Sequence, residues 1–394
     1  MPQHDRPHPS RRVRGTRTAV AALAGALLLG ACSTPGEPPA AAPAASPLPT
    51  ASATPGGTLL VADFGADTVS FVDPERGTVG SVPVGRAPYG LAVGADGRAW
   101  VATAEGVAVV DTRTRTRSAL IPYRTTGTGP VTGGEYRGGG MGIALSPDGA
   151  HAYAGVNVPG TTGVLEVIDT ARTEVTAVVP VGRRPFDVDV SRDGSEVYVT
   201  GHDSFDVTVV PVGPGGSGGS GGSGTSTASA APRRIEVAPY GTEGGLGSWL
   251  KPHYAVVRPA DGMLLLPFEG ERLAVVDPAT GRTTVEEMTA DTHQHGAAVT
   301  EDGRLLVVGT GAVEPGKGKG PSLTVRSPDG SERVYPLDGP HEDVAVSRDG
   351  RTAYVTGGYT RDGYWNGITV VDLDGGGGRR LAAGSRPLGI AVLG

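Results

Sequence analysis

The sequence predicts an all-β fold, a seven-bladed β-propeller closed by pairing of its N-terminal and C-terminal strands. Three observations carry that prediction. A quarter of the 394 residues are Gly or Pro (65 and 33), so breakers are spread through the whole chain. A short apolar run ending in Asp-Gly recurs along the sequence, and the two chain ends stand in complementary phases of that repeat. The glycines have no three-residue period, which excludes a collagen helix. A helical bundle would need long Ala/Leu/Glu/Lys runs with few breakers. Many short strands joined by turns remain.

Each strand of the repeat has its own signature. The first strand and its turn read Gly90–Gly97, Gly142–Gly149, Asp187–Gly194, Tyr254–Gly262, Gly296–Gly303, Asp343–Gly350 and Gly389–Gly394. All but the last, where the chain stops, end in Asp-Gly, the signal for a tight hairpin. A second strand follows each turn, as in Tyr198-Val199-Thr200 and Tyr354-Val355-Thr356. A third alternates and closes on Asp, as in Val69–Asp73, Val107–Asp111, Leu165–Asp169, Leu273–Asp277 and Ile368–Asp372, with Pro211 and Ser327 at the matching place in two other copies. A fourth is seen at Ser81–Gly85 and Val178–Gly182. Four short antiparallel strands in about 45 residues make one propeller blade.

The turn glycines from Gly97 to Gly350 are spaced 52, 45, 68, 41 and 47 residues apart. The long interval holds the Gly/Ser tract 213–231, whose 19 residues account for the excess. It reads as a flexible insert between the third and fourth strands of one blade. The repeat region opens at Thr58–Ala62 in the phase of a second strand and ends at Pro387–Gly394 in that of a first strand. Pairing these ends completes the seventh blade and leaves no open edge in the ring.

The N-terminus carries an export address. Arg11, Arg12, Arg14 and Arg17 precede an apolar run from Ala19 to Leu29, and Leu29-Gly30-Ala31-Cys32 follows. A basic stretch, a short apolar stretch and a small-residue cleavage site form a secretory signal over residues 1–31. Leu-Gly-Ala-Cys resembles the bacterial lipobox, which implies lipidation of Cys32 and attachment to the outer side of the cell membrane. Residues 32–57 are rich in Pro, Ala, Ser and Thr and form a tether unable to bury a core. The propeller occupies 58–394. Cys32 is the sole cysteine, so no intramolecular disulfide exists. Residues 1–31 hold five Arg and one Asp, so the formal charge of −7 becomes −11 without them. Such a chain is not built to bind nucleic acid.

The repeat resembles the YVTN/YncE-like propeller family. The resemblance rests on Tyr198-Val199-Thr200-Gly201, Tyr354-Val355-Thr356-Gly357, the Val-x-Val-[Val/Ile]-Asp strands and Val-Gly-x-x-Pro at Val84–Pro88 and Val181–Pro185. It implies an extracytoplasmic propeller that is largely non-enzymatic, and it names no ligand.

Candidate chemistry gathers on one face. In a propeller the first strand lines the channel, and the fourth-to-first and second-to-third connections share a face. The position before each first strand is filled by Tyr89, Met141, Phe186, His253, His295, His341 and Leu388. His341 and His253 stand in units one residue longer, and Glu342 is the alternative occupant in the first of these. Three imidazoles on consecutive blades suit Zn²⁺ or copper. His293 is a further ligand candidate, and Asp187, Glu342 and Asp343 are second-sphere candidates. The other reading is that these histidines hydrogen-bond to channel water and backbone.

Enlarged connections on the same face bring Tyr136, Tyr240, Trp249, Tyr364 and Trp365, a candidate surface for a protein partner or small ligand. The recurrent Ser146, Ser191 and Ser347 mark turn architecture. No phosphate-binding motif or calcium loop is present. The primary expectation is a lipid-anchored binding protein with its ligand or partner at the channel mouth. The alternatives are a zinc- or copper-binding propeller and a propeller oxidoreductase or lactonase. For the last, no acidic pair with a matched base stands out.

Overall fold

The structure is a computed structural model that describes residues 57–129, 137–213, 231–237, 251–268, 270–291, 295–309, 320–358 and 363–394. Among these, seven four-stranded antiparallel sheets form. Blade one runs from Leu91–Val93 to Thr116–Pro122, blade two from Gly139–Leu145 to Glu174–Pro180, and blade three from Pro185–Val190 to Arg233–Glu236. Blades four, five and six start at Val256–Val257, Ala297–Val299 and Val344–Val346. Blade seven joins the C-terminal strand Pro387–Val392 to Leu59–Asp63, Thr68–Asp73 and Gly77–Pro83. Leu59 pairs with Val392, Leu60 with Ala391 and Val61 with Ile390, so the ends close the ring as their phases predict.

The first strands contact one another in cyclic order around a central channel. The alternating Val, Ile, Leu and Ala residues of facing blades make one apolar core at each of the seven junctions. An eighth cluster, Phe64, Ala87, Tyr89, Met141, Phe186 and Leu388, lies at the channel mouth.

The repeated polar residues have local work. Asp73, Asp111, Asp169, Asp277 and Asp372 end their third strands by accepting backbone N–H groups two and three residues on, which closes the second hairpin. In the first hairpin Ser146, Ser191 and Ser347 donate to Asp148, Asp193 and Asp349. The glycines that follow, at φ 68, 71 and 69°, adopt the left-handed backbone that favours this residue. These serines are turn architecture, as expected.

The signal segment, Cys32 and the tether lie outside the described residues. The same holds for 214–230 of the Gly/Ser insert, whose flanks are the third and fourth strands of blade three.

Candidate functional site

Equivalent positions around the ring follow from strand pairing. Ala92↔Trp100, Ala144↔Tyr153, Asp189↔Tyr198, Val256↔Leu265, Ala298↔Leu306, Ala345↔Tyr354 and Leu60↔Ala391 are matching pairs. Three residues before each first-strand member stand Tyr89, Met141, Phe186, His253, His295, Glu342 and Leu388. This is the mouth ring, and all seven residues are buried.

His253 and His295 therefore occupy the expected slot, and His341 does not. Blade four absorbs its extra residue in the first hairpin, where the Gly262 N–H reaches Arg258 four residues back; the matching bond in blade two, Gly149 to Ser146, spans three. In blade six the slot belongs to Glu342. His341 is one residue upstream and points the opposite way, because alternate strand residues face opposite sides. Its Nδ1–H donates to the Gly339 carbonyl at 2.8 Å, and its Nε2 accepts from the Thr369 hydroxyl at 2.7 Å. Burial pushes its pKa down to about 4. Both ring nitrogens are engaged, so His341 has no lone pair to offer a metal.

His295 turns its Nδ1 toward the His341 carbonyl, which places the proton on that nitrogen. His253 packs edge-on to Phe186, ring centres 5.0 Å apart. Among the described residues no group of three or more His, Cys, Asp or Glu is gathered closely enough to hold a metal ion. The described histidines do not fit a three-imidazole zinc or copper site. His293 lies outside the described residues.

One residue further down the first strands is a second ring: Gly90, Gly142, Asp187, Tyr254, Gly296, Asp343 and Gly389. Its glycines let neighbouring backbones touch. A Cβ on Gly142 would lie 2.6 Å from the Asp187 Cα, and one on Gly389 2.6 Å from the Tyr89 carbonyl oxygen. The backbone bonds Gly90 N–H to Met141 C=O, Gly296 N–H to Glu342 C=O and Gly389 N–H to Tyr89 C=O link three junctions.

At two other junctions a carboxylate takes over. Asp187 accepts the Ala255 N–H of blade four at 2.9 Å, and Asp343 accepts the Ile390 N–H of blade seven. Burial, together with the Asp187 charge, raises Asp343 to about 7. Burial likewise raises Asp187, and it raises Asp189 with the Asp187 charge adding to it. Asp187 and Asp343, read as second-sphere candidates, link blade to blade in the structure.

Tyr254 is the large member of this second ring. From blade four its hydroxyl reaches Glu342 of blade six at 3.1 Å. Phe186 sits among aromatic rings: Tyr89 at 5.7 Å, Tyr254 at 5.3 Å and His202 at 5.7 Å, the last stacked. Arg137, fully buried, donates to the carbonyls of Ala87, Gly138 and Gly140 and lies over the Tyr89 ring. Burial pulls its pKa down to about 10, so it remains a cation at neutral pH.

The histidine missed as a candidate is His202, on the second-to-third connection of blade three. Its Nδ1 bonds Asp203 at 2.7 Å, and its ring centre is 4.4 Å from that of His253. Burial pushes it down to about 4, so it is neutral at physiological pH. Against the upward pull of burial, His202, Arg184 and Lys251 hold Asp203 well below the ordinary carboxylate range. A signal was present in the sequence: the matching residues of blades seven and one are Phe64 and Thr103, so a histidine here departs from the repeat.

Of the aromatic surface candidates, Tyr364 is 47% exposed, with the Arg386 guanidinium 4.5 Å from its ring centre. Trp365 is half-buried; Gly357 and Gly367 have no room for a Cβ beside it, and Arg380 lies 4.4 Å above its ring. Tyr136, Tyr240 and Trp249 lie outside the described residues.

No family model matches the chain. No curated protein matches its sequence. Solved structures do match its fold. A functionally unknown protein of Desulfotomaculum acetoxidans is 10% identical with a TM-score of 0.62, over 86% of this chain and 99% of that one. A Lactobacillus plantarum protein is 17% identical with a TM-score of 0.60, over 86% and 99%. The periplasmic gluconolactonase of Pseudomonas aeruginosa is 16% identical with a TM-score of 0.58, over 86% and 99%. At such identities the likeness concerns the seven-bladed fold alone.

Proposed function

We propose that this chain is a binding propeller of the YVTN/YncE-like type. It is exported, lipidated at Cys32 and held on the outer side of the cell membrane by its Pro/Ala tether. A partner protein or small ligand docks on the connection face over the channel mouth, without catalysis. The supporting observation is the mouth ring: one slot, repeated seven times, holds seven side chains of six residue types. Architecture alone asks for equivalent residues at equivalent places, as the turn serines illustrate. Variety in a buried ring at the channel mouth is the mark of a site shaped for something specific.

Site-specific photo-crosslinking in cells tests this. A photoreactive residue at Tyr364, on the connection face, is expected to capture a partner or ligand. The same residue at the exposed Val285, on an outer strand, is not. Capture from both positions alike, or from neither, would overturn the reading.

A second reading, lactone hydrolysis, has one observation in its favour. His202 is a neutral imidazole oriented by Asp203, the form a general base requires, and one protein of similar fold is a gluconolactonase. Titrating acid release from glucono-δ-lactone decides it: turnover lost in His202→Ala establishes that reading, and no turnover above background removes it.

A further inference from the structure

Blades seven, one and three enter their first strands alike. Arg386, Ala87 and Arg184 each precede the entry proline with left-handed backbone, at φ 47, 49 and 50°. Each entry is bonded to the neighbouring connection of its own blade: Gly65 N–H to Ser385 C=O, Ala104 N–H to Arg86 C=O, Asp203 N–H to Arg183 C=O. The superposed pairs are Phe64-Gly65, Thr103-Ala104 and His202-Asp203. Two of the three are uncharged, and only blade three places a carboxylate there.

That carboxylate is surrounded by donors. His202 Nδ1 is 2.7 Å, Arg184 Nη2 2.9 Å and Lys251 Nζ 3.4 Å from its oxygens. Arg183 beside them is exposed and makes no ion pair among the described residues. Two cationic side chains thus face one carboxylate and a neutral imidazole, with a third, Arg183, next in the chain, on a protein whose net charge is −7 and which has three lysines in all.

We propose that this corner of the mouth, at Arg183, Arg184 and Lys251, recognises the carboxylate group of a small organic acid. Asp203 is the internal counter-ion that keeps the donors in place. The site is preorganised, because the stacked Phe186 and His202 rings fix the connection from below and donors already placed lose little freedom on binding. Arg184 and Lys251 together carry one more charge than Asp203, Arg183 adds an exposed guanidinium at the next position, and guanidinium groups pair with carboxylates through two parallel hydrogen bonds. The inference rests on the mouth-binding reading and assigns a chemical class to what binds there.

Calorimetric titration of the full chain in detergent with benzoate, benzamide and inorganic phosphate is the test. Benzoate is expected to bind saturably and benzamide not at all. Arg183→Gln with Lys251→Gln weakens benzoate at least tenfold; Asp203→Asn tightens it severalfold, since the donors lose their internal partner. Arg183 is exposed, so Arg183→Gln alone keeps the test valid should Asp203→Asn fail to fold, and thermal melting verifies folding of each variant. Equal binding of benzoate and benzamide, or indifference to Arg183→Gln and Lys251→Gln, overturns the site. Phosphate binding as tight as benzoate overturns the carboxylate assignment. If Tyr364 crosslinking persists while benzoate fails, this inference falls and the mouth reading stands; if both fail, both fall.

Discussion

The mouth ring is two different arcs on one backbone. From blade seven to blade two it is apolar: Leu388, Tyr89 and Met141, with Phe64 and Ala87 packed beside them. From blade three to blade six it carries His253, His295 and Glu342, with Phe186 at the boundary and His202 packed against His253 from outside the slot. Burial is the same in both. The apolar arc holds through packing that needs no particular geometry. The polar arc needs in addition a carbonyl for His295, a hydroxyl for Glu342 and a carboxylate for the adjoining His202, because buried polar groups are costly when left unmet. A closed ring could be built with the first arrangement alone, which is why the proposed site is assigned to the second.

The largest expected effect sharpens the contrast from the apolar side. Leu388→Asp buries an unpaired charge where blade seven closes and should cost about 3–5 kcal/mol, read by urea unfolding. A loss under about 1 kcal/mol would mean that the arc is not packed as described. Phe186→Ala, at the boundary, should cost about 3–5 kcal/mol as a large buried ring is removed. If it costs no more than an exposed-site substitution such as Val285→Ala, the aromatic cluster does not hold the mouth.

Tyr254→Phe probes the polar arc alone. Losing the hydroxyl that spans from blade four to Glu342 should cost about 1–2 kcal/mol. No change in the unfolding midpoint would remove that bond from the account.

The effect most specific to the polar arc is a pH dependence. Asp343 binds its proton more tightly folded than unfolded, so its contribution is complete below the ordinary carboxylate pKa and is lost as pH rises through about 7. His202 and His341 bind theirs less tightly when folded. Their contribution is present above the ordinary imidazole value and is lost as pH falls toward about 4. The two slopes oppose each other between about pH 4 and 6.5. Relative to Asp343→Asn, the native chain should therefore lose stability as pH rises from about 4 to about 7. Relative to His341→Gln it should gain over the lower part of that range. Met141→Ala, in the apolar arc, should cost the same throughout. A pH-independent Asp343→Asn difference would contradict the placement of that carboxylate.

Much of this was legible in the chain itself. Blade number, strand order, the closing pair of ends and the turn roles of Asp-Gly and of the recurrent serines follow from local rules: alternation, turn chemistry and repeat phase are written within a few residues of where they act. The slot was legible to within one residue. That margin mattered, because alternate strand residues face opposite sides, and one step separates Glu342 in the ring from His341 bonded to Thr369. Which blade absorbs an extra residue in a turn and which absorbs it before the strand depends on hydrogen bonds such as Gly262 to Arg258, and spacing does not record them.

What only the tertiary structure decided concerns residues far apart in sequence. Asp187 and Asp343 looked like groups around a metal and prove to accept N–H groups from the next blade. Tyr254 bonds a residue 88 positions away, and His202, outside the slot, stands against His253. The sequence by itself determined a closed seven-bladed ring, because each strand and turn is specified by its neighbours along the chain. Only the folded ring determined the character of the mouth, because there seven distant residues share one buried space and each acquires its role from the side chains it meets.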